Sequence, residues 1–319
     1  MKAFEHINAK TIDEAASLIK DGNAVVCAGG TDLVGALRFK ILRDYPGTVV
    51  NLKTIPGLDY IKEEGGKLKI GALTRLEDIA TSQIVNSKYS ALAQASDKTA
   101  SPHIREQGTI GGNICQMNRC WYFRKPENRF DCIRKGGNMC YAMVGDNRYH
   151  SIFGAVSACV AVNPSDTAPA LVVLNAVIKT NKREIAAEEF WTLAIPGSTV
   201  LEADEIVTEI IVPEPAGKSA FFKTAIRKSI DFPIVNCAAM ISDSDARICL
   251  NAVYNNPYRA TKAEDVIKGK ELSEGNAESA AEAAVSSAVA LPGRADNPGT
   301  KYKIQIAKGL VKRSILACK

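Results

Sequence analysis

The chain has 319 residues, 46% of them apolar and 24% charged, with a formal net charge of +5. At roughly 100–200 residues per domain, that length holds two or three domains with real cores, and the composition is neither disordered nor collagen-like. No block of like charge points to a nucleic-acid or membrane surface, no run of about 18 apolar residues could span a bilayer, and the opening MKAFEHINAK lacks the apolar stretch of a signal peptide, so a cytoplasmic location is expected.

Residues 4–7 read as a strand. Thr11-Ile12-Asp13-Glu14 reads as a capping box that starts a helix running to about Lys20, with Ile12, Ala15, Ala16 and Ile19 on one face. Ala24–Ala28 is a buried strand broken by Gly29-Gly30, and Val49–Leu52 is another. A second unit begins near Leu58. Asp59–Glu63 and Lys67–Ile70 form a hairpin around Gly65-Gly66. Thr74-Arg75-Leu76-Glu77 reads as a second capping box, Ser90–Thr99 as a helix, and a strand-rich stretch is expected to about 212. Residues 113–150 have no periodicity, so they are either disordered or ordered by something other than a core. Beyond a linker near 213–218, strands are expected at Phe221–Ile226, Ile234–Ile241 and Ile248–Tyr254. Helices are expected at Ala260–Ile267, Asn276–Ala290 and Tyr302–Leu316.

Nine cysteines in a chain without a secretion signal argue against a disulfide framework. Cys27, Cys159, Cys237, Cys249 and Cys318 sit singly among apolar residues and read as small core hydrophobes. Cys115, Cys120, Cys132 and Cys140 crowd into the unusual segment with spacing C-x4-C-x11-C-x7-C. Four thiolates of this kind hold a [4Fe–4S] cluster or a tetrahedral zinc, and the missing C-x2-C knuckle weighs against zinc.

Two segments are rich in glycine. Ala28-Gly29-Gly30-Thr31-Asp32-Leu33 follows a buried strand, where absent Cβ atoms let backbone N–H groups approach an anion such as a pyrophosphate. It is neither a Walker loop nor the three-glycine dinucleotide fingerprint. About 80 residues on, Gly108-Thr109-Ile110-Gly111-Gly112-Asn113 repeats the device.

The pair of segments resembles the flavin subunits of the xanthine dehydrogenase family of molybdenum hydroxylases, and the resemblance covers nearly the whole chain. It implies an α+β architecture: a vanillyl-alcohol-oxidase (PCMH)-type FAD-binding fold of two subdomains, 1–55 and 56–212, the second carrying the cysteine-rich insertion 113–150, and a C-terminal α+β domain, 218–319, of the CO dehydrogenase flavoprotein type. Carried over, the FAD-binding residues are Ala28, Gly29, Gly30, Thr31, Asp32, Leu33, Thr109, Gly111, Gly112 and Asn113. Phe222-Lys223 and Arg227–Val235 resemble the family's strand and loop near the isoalloxazine, which makes Lys223 and Asp231 flavin-side residues. Many relatives also place a Ser-Asp pair near the flavin. The comparable place here is expected at Arg148-Tyr149-His150-Ser151, where no Asp stands. The flavin subunit of 4-hydroxybenzoyl-CoA reductase carries an extra iron–sulfur cluster in an insertion at this same place. Cys120, Cys132 and Cys140 match three of its ligand positions, the fourth falls near Tyr149, and Cys115 is expected to complete a [4Fe–4S] site, with His150 in reserve.

The resemblance further implies partners: a molybdopterin-binding large subunit and a [2Fe–2S] small subunit in a dimerised heterotrimer, with electrons passing through FAD to NAD or another acceptor. The direction of flow stays open. His6, His103 and His150 are the only histidines, and no hydrolase motif occurs. Two other readings stand beside this one. The first is a stand-alone flavin reductase of the enolpyruvyl-UDP-sugar reductase type. The second is a zinc-stabilised binding module using the aromatic, basic run Trp121–Lys125.

Overall fold

The structure, a computed structural model, describes residues 1–227, 230–294 and 296–319. Lys228 and Ser229, inside the run matched to the flavin-side loop, lie outside the described residues.

The N-terminal sheet has three parallel strands, β1 (Glu5–Asn8), β2 (Ala24–Cys27) and β3 (Thr48–Asn51), in the order β1-β3-β2. The Ile12–Ile19 helix covers one face. Its expected cap forms: Thr11 Oγ1 accepts from the Glu14 N–H at 3.1 Å, while the Glu14 carboxylate reaches back to the Lys10 N–H at 2.7 Å. Ala15, Ala16 and Ile19 pack on Val50 and Leu52. The parallel strand β2 therefore ends, at its carboxyl end, in the first glycine segment. Ligands of open α/β sheets bind at such carboxyl ends.

The second sheet runs β4 (Ile61–Glu64), β5 (Lys67–Gly71), β8 (Val207–Pro213), β6 (Val177–Thr180), β7 (Glu184–Ala186), all antiparallel. Gly65 and Gly66 close the β4–β5 hairpin with φ of 60° and 71°, the double left-handed turn that such hairpins favour. The second capping box does not form. The helix begins at Leu76 with no side-chain cap, and the Thr74 hydroxyl bonds the Tyr60 carbonyl and N–H instead, each at 3.0 Å. The expected strand-rich stretch is also corrected. Between β5 and β6 the described regular structure consists of short helices, among them Leu76–Thr81, Ser90–Asp97, Ile110–Ile114 and Thr167–Val173. They pack on the sheet around the fully buried Ile70, Ile178 and Ile210, each such side chain contributing about 1.5–3 kcal/mol.

The C-terminal sheet is an antiparallel meander, β9 (Lys218–Thr224), β10 (Val235–Ile241), β11 (Ala246–Asn251) and the short β12 (Tyr258–Arg259). Its two faces sort by alternation. Cys237, Ala239 and Ile241 pack under the helices Thr261–Ile267, Glu274–Ala284 and Lys301–Leu316. Ala238 and Met240 join the core of the second sheet. A strand covered on both faces loses the polar positions that would reveal its period, which is why 234–241 reads as one apolar run.

The cysteine-rich segment is wedged between these bodies. Phe123 and Cys132 pack on Ala36 and Ile41 of the N-terminal unit. Tyr122 and Cys140 pack beside Val160 and Leu291. Tyr122, Phe130 and Tyr141 form an aromatic cluster with ring centroids 4.8–6.3 Å apart.

Candidate flavin-binding cleft

Both glycine segments line one cleft of about 550 Å³, within the usual range for small-molecule sites. Its walls are mostly apolar, including Val25, Leu52, Leu73, Leu76, Ile104 and Ile206. Of the residues expected to hold FAD, Ala28, Gly30, Thr31, Asp32, Leu33, Thr109, Gly111, Gly112, Asn113 and Asp231 line it. Gly29 and Lys223 are not among the lining residues.

The two turns do different work. In the first, Gly30 has φ +73°, a conformation few side chains tolerate. The N–H groups of Gly29, Gly30, Thr31 and Asp32 make no hydrogen bond to another protein group among the described residues, leaving a row of donors for an anion. In the second turn the amides are already used. Gly111 N–H donates to the Ala72 carbonyl, Gly112 N–H to Thr109 Oγ1 and Asn113 N–H to the Thr109 carbonyl. That turn is a wall rather than an anion cradle, which corrects the symmetrical reading of the two segments. Gly29 explains how the turns meet: a Cβ there would lie 1.9 Å from the Gln107 carbonyl oxygen. Only a bare backbone lets the first turn rest against the loop that leads into the second.

A Ser-Asp pair does stand near the cleft, although not at Arg148–Ser151, where its place was expected. Ser165-Asp166 stands at the cleft, beyond the cysteine insertion, and Asp166 lines it. Asp166 is 3% exposed, accepts from Asn236 Nδ2 at 2.7 Å and pairs with Lys223 Nζ at 2.7 Å. Burial nonetheless pushes its carboxyl up from the ordinary range. Lys223 thus acts on the cleft through Asp166. Asp231 reaches the cleft itself, held by the Arg227 guanidinium and N–H, which keep its carboxyl down to about 2.

The expected quartet of thiols does not assemble as Cys115, Cys120, Cys132 and Cys140. Cys115 packs against the core of the second sheet and lines the cleft, and burial alone pushes its thiol up to about 12. Cys159, expected as a core residue, lies instead beside Cys140 and Arg134. Cys140 neighbours Cys159, and burial first, then the charge of Cys159, pushes the Cys120 and Cys132 thiols up. The hydrogen bond from Cys140 and the nearby Arg134 charge pull the Cys159 thiol down against its burial. Arg134 Nε lies 3.4 Å from Cys159 Sγ and His150 Nε2 lies 3.3 Å from Cys120 Sγ. Arg134 is 7% exposed, donates to the Gly197 carbonyl at 2.7 Å and forms no ion pair with a carboxylate among the described residues. No three His, Cys, Asp or Glu side chains among the described residues converge closely enough to hold a single metal ion. Likewise, no described helix is long and apolar enough to cross a membrane.

Comparison with known proteins agrees with this geometry. Residues 2–215 match the family model described as the FAD-binding domain in molybdopterin dehydrogenase, and residues 220–318 match the CO dehydrogenase flavoprotein C-terminal domain. The chain is 34% identical over 281 residues to the aldehyde oxidoreductase FAD-binding subunit of Escherichia coli, covering 83% of this chain and 86% of that one. It is 29% identical to the nicotinate dehydrogenase FAD-subunit of Eubacterium barkeri, covering 85% and 82%. Among solved structures, the carbon monoxide dehydrogenase of Hydrogenophaga pseudoflava superposes with a TM-score of 0.75 at 25% identity, covering 99% of this chain and 97% of that one.

Proposed function

Because the chain belongs to the FAD-binding, medium subunits of the molybdenum hydroxylases, we propose that it is the electron-transfer subunit of a heterotrimer, working between the [2Fe–2S] clusters of a small subunit and NAD or another acceptor while a molybdopterin-binding large subunit handles the substrate. The observation that carries this reading is the single cleft lined by both glycine turns, with unbonded amides at one end and apolar walls along its length. These residues fit FAD. When bound, FAD supplies chemistry that joins one-electron to two-electron carriers. The chain's own part is positional. Gly30, Thr31 and Asp32 offer N–H donors to the diphosphate, the leucine and valine walls exclude water, and Asp166, fixed by Lys223 and Asn236, presents a carboxylate at the cleft surface. The test is co-expression with its genomic neighbours. Co-purification with a pterin-containing and an iron–sulfur subunit, and substrate-driven bleaching of the flavin, are expected. A chain that stays alone and reduces a sugar-nucleotide substrate with NADPH would favour the stand-alone reductase.

A second observation supports an additional [4Fe–4S] cluster in the insertion. Cys120, Cys132, Cys140 and Cys159 are near neighbours beside Arg134, a buried arginine that no carboxylate pairs among the described residues. A buried cation without a carboxylate needs an anion, and four thiolates around a cluster provide one. Ligands to a cubane sit wider apart than ligands to one ion, because each thiolate binds a different iron. Such a cluster supplies a one-electron site; Cys120, Cys132, Cys140 and Cys159 would hold it, with Arg134 and His150 bonding the sulfurs. Iron and acid-labile sulfide should fall in Cys159→Ser and persist in Cys115→Ser. The opposite pattern restores Cys115 as the ligand, and zinc without sulfide favours the zinc module.

A further inference from the structure

We propose that Arg119, one residue ahead of Cys120 in the cysteine insertion, is a phosphate-binding residue that grips the diphosphate of FAD. The proposal rests on the FAD reading above. Its starting point is the charge lining the cleft. Among the described lining residues the charged ones are Asp32, Asp166, Glu205, Asp231 and Arg119. Each carboxylate already has a cation of its own: Arg124 Nη2 lies 2.6 Å from Asp32, Lys223 Nζ 2.7 Å from Asp166, Arg183 Nε 2.9 Å from Glu205, and Arg227 Nε 3.0 Å from Asp231. None of those four cations is among the lining residues. The carboxylates are therefore neutralised from behind, and Arg119 is the one cation that faces the cleft among the described residues.

Its bonding is incomplete. Arg119 Nη2 lies 3.0 Å from Asp32 Oδ1 and 2.9 Å from Gln116 Oε1, and the guanidinium stacks 4.3 Å from the centre of the Phe232 ring. Nε is buried with no partner. Asp32 cannot fully compensate it, because the same oxygen is shared with Arg124 and the other accepts the Met117 N–H. Arg124 is satisfied elsewhere too, donating to the Asn118 and Met117 carbonyls. A diphosphate carries a charge on each phosphate and accepts the planar guanidinium fork well. Arg119 is tied to Asp32, the residue that ends the row of unbonded amides, so phosphate oxygens there meet backbone donors from the first turn and a guanidinium from the insertion. One consequence is reciprocal: whatever FAD gains from Arg119, the ordered insertion gains from FAD.

The test uses flavin-stripped full-length protein titrated with FAD and with riboflavin, which lacks phosphate, and with ADP as a competitor that carries the diphosphate without the flavin. Arg119→Met should weaken FAD roughly 10- to 100-fold, weaken ADP competition in parallel and leave riboflavin unchanged. Arg119→Lys should recover part of the loss. Unchanged FAD affinity in Arg119→Met, or an equal loss for riboflavin, overturns the proposal. Wild-type protein that binds no FAD at all removes the FAD reading itself, a separate and recognisable failure.

Discussion

Replacing Gly29 by alanine isolates the contact on which the cleft is built. The added Cβ would sit 1.9 Å from the Gln107 carbonyl oxygen, 2.7 Å from its carbon and 3.0 Å from the Gly108 Cα. All three are backbone atoms, so no side chain can swing away. To reach ordinary contact the two loops must part by roughly 1.5 Å. Overpacking of this kind costs about 1–3 kcal/mol. Here the strain falls on the first turn, whose amides face the cleft, so the cost appears as FAD affinity: a loss of roughly 5- to 150-fold. The assay is quenching of flavin fluorescence as apoprotein is titrated with FAD. Gly35→Ala is the matched control. It lies six residues away on the Leu33–Arg38 helix with nothing within 4 Å of its Cβ position, and it should leave affinity unchanged or stabilise the fold slightly. Gly29→Ala that binds FAD as wild type does would refute the claim that the turns are held together by that bare backbone.

Two other substitutions follow from the same geometry. Lys223→Met leaves Asp166 buried without its cation, which costs about 3–5 kcal/mol at neutral pH and lowers the urea midpoint; because burial raises the Asp166 carboxyl, the deficit should shrink as pH falls and the group takes up a proton, and a deficit independent of pH would contradict this. Glu205 is held at about 2, below its ordinary 4.5, first by the hydrogen bond from Arg183. Its stabilisation is complete above pH 4.5 and is lost as pH falls through about 2, so the urea midpoints of wild type and Glu205→Gln should converge in acid; curves that stay parallel count against the pair.

What the sequence revealed and what it hid follow from how far each interaction reaches along the chain. The Thr11 cap is legible because both partners lie within four residues. Thr74 carries the same signature, yet its hydroxyl is committed to Tyr60 across the hairpin, a contact that no local pattern encodes. The glycine turns are legible as motifs, but their division of labour is not: Gly111 spends its N–H on Ala72 and Gly29 makes room for Gln107, and both partners are remote. Cys159 looks like a core residue because its neighbours are apolar. What sets it apart from the other single cysteines is Arg134, a buried cation two residues beyond Cys132 in the insertion, whose Nε lies 3.4 Å from the Cys159 sulfur. The Ser165-Asp166 pair carries no local signal of its own, because what marks Asp166 is its contact with Lys223 and Asn236, both remote in the chain. Lys223 is drawn to the cleft by sequence and is placed behind it by its ion pair with Asp166.

If the cleft holds FAD on the first glycine turn, bound flavin should leave with the protein and depend on that turn. Protein expressed with riboflavin available, purified natively and then denatured, should release one FAD per chain, while Gly29→Ala carried through the same washes should release markedly less. Colourless native protein with no releasable flavin, or equal retention by both forms, would mean that the first glycine turn does not hold FAD.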